Sequence, residues 1–171
     1  MDKNRQSKKE EFSAPEKKGS QIKVLLAVVV LVAVGLIGGY VLTLQGMDSI
    51  PTVNSVDGEI RLDLKQVSDG QAHYFRYATD QGLVTFFVIK SVDGVMRAAF
   101  DACDVCYREK KGYRQEGSQM VCNNCDMKFR SDLINVVKGG CNPAPLSRRI
   151  EAGQLVINQQ DVLRGAWYFG S

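Results

Sequence analysis

The sequence predicts a single N-terminal transmembrane helix followed by a small mainly-β domain, β-rich with some α, around a zinc-ribbon-like double C-x-x-C metal site. Three observations carry this. Val24 to Gln45 is an uncharged apolar run, short alternating or β-branched segments follow it, and all five cysteines lie beyond residue 100. A length of 171 residues suits one ordinary domain and an anchor, not two large domains.

The divisions read from composition are a polar tail at 1–22, a span at 23–45, a linker at 46–57 and a domain at 58–171. The tail is Lys/Glu-rich with Ser, Pro and Gly and no periodic apolar pattern, which predicts disorder. The span is long enough for a ~30 Å hydrocarbon layer, where only a helix satisfies its own backbone polar groups. A cleaved signal peptide is the rival reading. Its apolar core would be shorter, roughly 7–15 residues, and end at a small-x-small site; here Tyr40, Leu42 and Leu44 continue the run. Gly35 and Gly39 are spaced as a helix-packing pair, although glycine is common in spans.

Charge sets the expected orientation. Residues 1–23 carry seven Lys/Arg and four Asp/Glu, and residues 46–171 carry fifteen of each sign. Lys17, Lys18 and Lys23 precede the span and Asp48 and Asp57 follow it, so the positive-inside rule puts the N-terminus in the cytoplasm. The domain is then extracytoplasmic, on a single-pass protein of the cell membrane. Because that domain is neutral, no basic face is concentrated for phosphates, and nucleic acid is excluded as a partner.

Within the domain, Glu59–Leu64 alternates polar and apolar residues as a half-buried strand does. Gln71–Tyr77 reads as a second strand after the turn signal Ser68-Asp69-Gly70. Leu83–Ile89, nearly all β-branched or aromatic, reads as a central strand. Asp93-Gly94 predicts a hairpin back through Val95–Phe100, directly into the first cysteine. Gln154–Ile157 is a further strand, and Asp161 is expected to cap a short helix or turn through Val162 and Leu163. Trp167, Tyr168 and Phe169 are expected to pack on the sheet.

The cysteines form the most specific signal. Cys103-x-x-Cys106 and Cys122-x-x-Cys125 are separated by fifteen residues, the arrangement of a four-thiolate tetrahedral site. Two intervening residues let one tight turn aim both sulfurs at an ion roughly 2.3 Å away, and a second turn completes the tetrahedron. A covalent c-type haem would need His after the second cysteine, where Tyr107 and Asp126 stand. A thioredoxin-like pair belongs at a helix N-terminus, whereas Cys106 leads into the charged stretch Arg108–Gly117. Disulfides suit an extracytoplasmic domain, but five cysteines leave one over, and adjacent C-x-x-C pairs close poor staples. A metal or cluster is the preferred reading.

Zinc, iron and small iron–sulfur clusters all accept four thiolates, and spacing alone favours zinc. Cys141 complicates that. It sits in Gly139-Gly140-Cys141-Asn142-Pro143, where glycines permit positive φ and proline stiffens the exit. It reads either as a further ligand or redox thiol, or as a buried free cysteine. His73, the one histidine, reads as a strand-edge residue. Asp101, Asp104 and Asp126 read as turn-forming and solvated, as do the basic pairs Lys110-Lys111 and Arg148-Arg149. One histidine gives no support to a hydrolytic triad.

The run Phe100-Asp101-Ala102-Cys103-Asp104-Val105-Cys106, then Met120-Val121-Cys122-Asn123-Asn124-Cys125, then Gly139 to Leu146 resembles the iron–sulfur-containing FtrD-like membrane protein family. Phe86–Lys90 with its Asp93-Gly94 turn is similar to that family's lead-in. The resemblance covers roughly residues 70–150 and implies Cys103, Cys106, Cys122, Cys125 and Cys141 as the cofactor-binding set, with iron or an iron–sulfur cluster as cofactor. It further implies electron transfer or metal handling in bacterial ferrous-iron uptake, beside a membrane permease or redox partner. One span provides no transport path of its own. The alternative expectation is a zinc-ribbon interaction module with a structural ion.

Overall fold

In β4 (Gly82–Lys90) the side chains point alternately to two cores, and this organises the domain. Val84, Phe86 and Val88 enter a first core, and Phe87 and Ile89 enter a second. A strand buried on both faces needs apolar residues at consecutive positions, hence the unbroken run. Its neighbour β5 (Met96–Phe100) repeats the pattern, with Met96, Ala98 and Phe100 in the first core and Ala99 in the second.

The chain is described here from a computed structural model covering residues 23–35 and 50–170. Residues 23–35 are helical, and their side chains are exposed. Among the described residues no helix is long and apolar enough to cross a membrane. The predicted tail (1–22), the second part of the predicted span (36–45) and the start of the linker lie outside them.

From Ile50 onward the chain forms one unit of three sheets. The central sheet has the order β1-β3-β4-β5, with β1 (Thr52–Val53) parallel to β3 (His73–Thr79) and the other pairs antiparallel. A second sheet, ordered β2-β10-β9, joins β2 (Glu59–Asp63), β9 (Arg149–Glu151) and β10 (Gln154–Asn158). A third joins β6 (Tyr113–Glu116), β7 (Gln119–Cys122) and β8 (Lys128–Arg130) in chain order. Ile60, Leu62, Leu155 and Ile157 of the second sheet fill the first core. Tyr113, Met120 and Cys122 of the third fill the second core, with Cys103 and Ile134. The domain is mainly β, as the strand pattern predicts.

Several local expectations change. Thr52–Val53, read as linker, form a strand, because the Pro51 carbonyl accepts from the Arg76 amide and starts the pairing. The C-terminal helix is Gln159–Arg164, capped by Asn158, whose side chain accepts from the Gln160 amide at 2.8 Å. Asp161 lies within that helix. Tyr168 and Phe169 pack on Phe100, as expected, at centroid distances of 5.8 and 6.4 Å. Trp167 instead stays 51% exposed and stacks on Tyr168 at 3.8 Å.

Candidate metal centre

Both cysteine pairs lie on turns that leave strands of the second core. Beyond β5, the Asp101 amide bonds to the Thr85 carbonyl, and the chain then turns through Cys103 and Cys106. The Cys106 amide donates to Cys103 Sγ at 3.2 Å, and the Tyr107 amide bonds to the Cys103 carbonyl. This is the knuckle that the spacing predicts. Cys122 ends β7, the Asp126 amide returns to its carbonyl at 2.9 Å, and Asp126 takes φ +56° to close the turn.

Cys141 arrives by a different route. Gly139 and Gly140 adopt φ of +83° and +63°, as the Gly-Gly pair predicts. Beyond Cys141 the chain is stitched to β5 and its extension. The Phe100 amide donates to the Ala144 carbonyl, the Ala144 amide to Ala102 and the Leu146 amide to Ala98, at 2.8–3.1 Å.

The five sulfurs fall into two overlapping triads, each with its sulfurs mutually within 4.8 Å. Cys103, Cys106 and Cys122 form the inner one, and Cys106, Cys125 and Cys141 the outer. Cys106 belongs to both. The Cys106 and Cys141 sulfurs are 3.8 Å apart, close to the ~3.8 Å edge of a tetrahedron with ~2.3 Å metal–sulfur bonds. Cys103 and Cys122 are buried, Cys106 and Cys141 half-buried, and Cys125 exposed. Burial pushes the Cys122 thiol up to about 11 and the Cys141 thiol up to about 12, the latter reinforced by Cys125 and Cys106. The Met127 amide holds Cys125 below its ordinary value. The donor set suits a thiophilic ion or an iron–sulfur cluster, with Cys103 and Cys122 its buried members.

The surroundings depart from the sequence reading at Asp101 and Arg148, whereas Asp104, Asp126 and Lys111 are exposed as that reading has them. Asp101 is not a solvated turn residue. Its carboxyl lies against Gly112, accepts the Tyr113 amide at 2.7 Å, and burial pushes it up to about 7. It lines a cleft of about 180 Å³ with Cys103, Cys106, Cys122, Lys110 and Tyr107. Asp104 accepts from the Tyr168 hydroxyl at 2.6 Å, and Asp126 pairs with Arg114 at 3.0 Å. Lys111 donates to Asn124 at 3.0 Å. Arg148 is half-buried, its Nε on the Met96 carbonyl, and Arg149 pairs with Glu59 and Glu151. His73 bonds to Asp69 at 2.7 Å and belongs to neither triad.

Tyr113 is the neighbour that sequence reasoning missed. It is 4% exposed and stands opposite Cys122 in the β6–β7 register. Its hydroxyl donates to the Cys141 carbonyl at 2.7 Å. Only its place as the apolar member of Tyr113-Arg114-Gln115-Glu116 hinted at burial.

A mainly-β domain presenting five clustered cysteine thiols has the donor chemistry that could hold a thiophilic metal. Residues 67–169 match the family described as membrane iron–sulfur containing proteins, FtrD-like, and the chain belongs to that family. No curated protein matches it. Among solved structures, the quaternary ammonium Rieske monooxygenase CntA, in complex with an inhibitor, is similar at 17% identity and a TM-score of 0.39. That similarity covers 58% of this chain and 30% of that one.

Proposed function

We propose that this chain is a membrane-anchored protein whose extracytoplasmic domain holds an iron–sulfur or iron–thiolate centre and serves a membrane iron-uptake system as an electron-transfer or metal-handling accessory. The observation that carries this reading is the fifth sulfur. A structural zinc ion takes four ligands in a closed tetrahedron. Here Cys141 is brought beside the two C-x-x-C pairs, and Cys106 is shared between two triads. Such a set offers more thiolates than one tetrahedral ion uses, and its division into two triads that share Cys106 supports a centre with more than one metal atom. When bound, that centre supplies one-electron chemistry.

The residues divide the work by burial. Cys103 and Cys122 would hold the inner side against Phe87, Met120 and Ile134, an apolar surround that governs solvent access to the centre. Cys125 and Cys106 present the other side toward solvent, the side from which an electron partner approaches. As an anchor, the apolar run Val24–Gln45 would tether the domain to the membrane, where a permease or redox partner would meet it.

The test is anaerobic purification of the full chain followed by iron, zinc and sulfide analysis with an optical spectrum. Iron with visible absorption that bleaches on reduction is expected. A colourless protein with stoichiometric zinc would overturn the electron-transfer reading in favour of a zinc-ribbon interaction module. Anchoring is checked separately by fractionation: a Leu31→Lys change should move the protein out of the membrane fraction, and retention there would sink the anchor.

A further inference from the structure

Cys141 has no partner cysteine three positions away to fix its sulfur. Gly139 and Gly140, both at positive φ, precede it, and a β-carbon on Gly140 would meet nothing within 4 Å. The loop closes on itself, its Gly139 carbonyl accepting from the Asn142 amide at 3.3 Å and from Asn142 Nδ2 at 3.1 Å. Its bonds to β5 and the extension of β5 begin only at Ala144, three residues downstream. Within Cys141 itself, the backbone carbonyl is held by a side chain from another sheet, the Tyr113 hydroxyl at 2.7 Å.

Tyr113 is itself fixed at each of its polar groups. Its amide donates to Asp101 Oδ1 at 2.7 Å, and its carbonyl accepts from the Tyr74 hydroxyl at 2.9 Å. Its ring packs against Phe87 and Phe129 at centroid distances of 6.4 and 6.3 Å. Pairing with Cys122 sets its position relative to the second C-x-x-C turn. A rigid phenol anchored on the Cys122 side therefore reaches the loop that carries the fifth sulfur. From this we infer that Tyr113 is the positioning residue that holds Cys141 at the thiolate centre. The inference rests on the reading that Cys141 belongs to that centre, and it adds what keeps it there. Without the hydroxyl, the Cys141 carbonyl loses its one side-chain tether and the loop samples conformations that carry the sulfur away from Cys106.

The test compares Tyr113→Phe with Tyr77→Phe in the full chain, purified and kept anaerobic. Each variant removes one phenol hydroxyl, but the Tyr77 hydroxyl bonds to Ser55 at 3.0 Å beside the first core and touches neither Tyr113 nor the Cys141 loop. The readout is the rate of Cys141 alkylation by iodoacetamide, mapped by mass spectrometry beside the other four cysteines. Tyr113→Phe should raise the Cys141 rate about tenfold, the population change that one lost hydrogen bond of ordinary strength sets. Cys103 and Cys122 should stay protected, and Tyr77→Phe should leave Cys141 at the wild-type rate. An unchanged Cys141 rate in Tyr113→Phe, or an equal rise in Tyr77→Phe, overturns the inference. Should Tyr113→Phe fail to fold, 4-methylphenylalanine at position 113 fills the hydroxyl's volume without a donor and is read in the same way. A zinc-loaded, colourless protein would end the electron-transfer reading alone, because the alkylation comparison reports the position of Cys141 around either metal.

Discussion

Gly165 shows how one missing methyl group sets the packing of the first core. A β-carbon there would lie 2.1–2.7 Å from ring atoms of Phe100, which is itself 5% exposed and wedged against Tyr168 and Phe169. The ring cannot withdraw without displacing both neighbours. Gly165→Ala is therefore expected to destabilise the domain by about 1–3 kcal/mol, the range for overpacking a filled core. Urea denaturation gives the value, and a loss within error of zero would mean that Phe100 has room to turn. The same mutation should leave metal content unchanged, since Gly165 contacts the face of β5 away from the second core. Gly58 is a useful contrast. Its φ is +76° but nothing lies within 4 Å of its β-carbon position, so its cost on substitution is conformational only.

Among the elements, the β4–β5 hairpin carries the clearest pH dependence. Asp93 accepts from the Ser91 hydroxyl, from the Val95 amide at 3.1 Å and from Arg97, and these hold its carboxyl down at about 2 against an ordinary 3.8. A depressed carboxyl contributes stability that is complete above pH 4 and lost as pH falls through about 2, where the folded state must take the proton. Asp93→Asn should thus be less stable than wild type at pH 6, with the gap closing toward pH 2; a gap independent of pH would remove the hairpin from the acid response. This turn was legible in sequence because Asp93-Gly94 is a local signal, and β4, β5 and β10 were legible because their apolar runs are nearly continuous. The third sheet was not. Tyr113–Glu116 and Lys128–Arg130 are three or four residues long and mostly charged, with one inward side chain each, too little for a period to show. The cysteine pairs were readable for the same reason as the turn, since their spacing is local. Tyr113 and Asp101 were not, because they meet the site through contacts 12 and 28 residues apart along the chain.

At the scale of the whole domain, the two cores should differ in their dependence on metal. The first holds eighteen buried residues, none of them cysteine, drawn from the central sheet, the second sheet and the C-terminal segment, with Val67, Ala102, Ala144 and Leu146 from between them. The second holds eight, of which Cys103 and Cys122 are two, with Cys106 and Cys141 packed at its margin. A cluster this small buries little apolar surface, and cores of that kind depend on ligation for much of their stability. Were an ion held there as proposed, its removal would leave the turns that carry the cysteines without their common tie. The strands β2 and β10, paired over five residues, have no such dependence. Strand β4 lies between the two regimes, and its ladders to β3 and β5 keep it protected from either side. Chelation of the loaded protein should therefore speed amide exchange by about tenfold or more in β6 to β8 and in residues 101–112, a local opening short of global unfolding. Exchange in β2, β4 and β10 should stay slow. Equal loss of protection across all of these strands would show instead that the metal stabilises both cores as one cooperative unit.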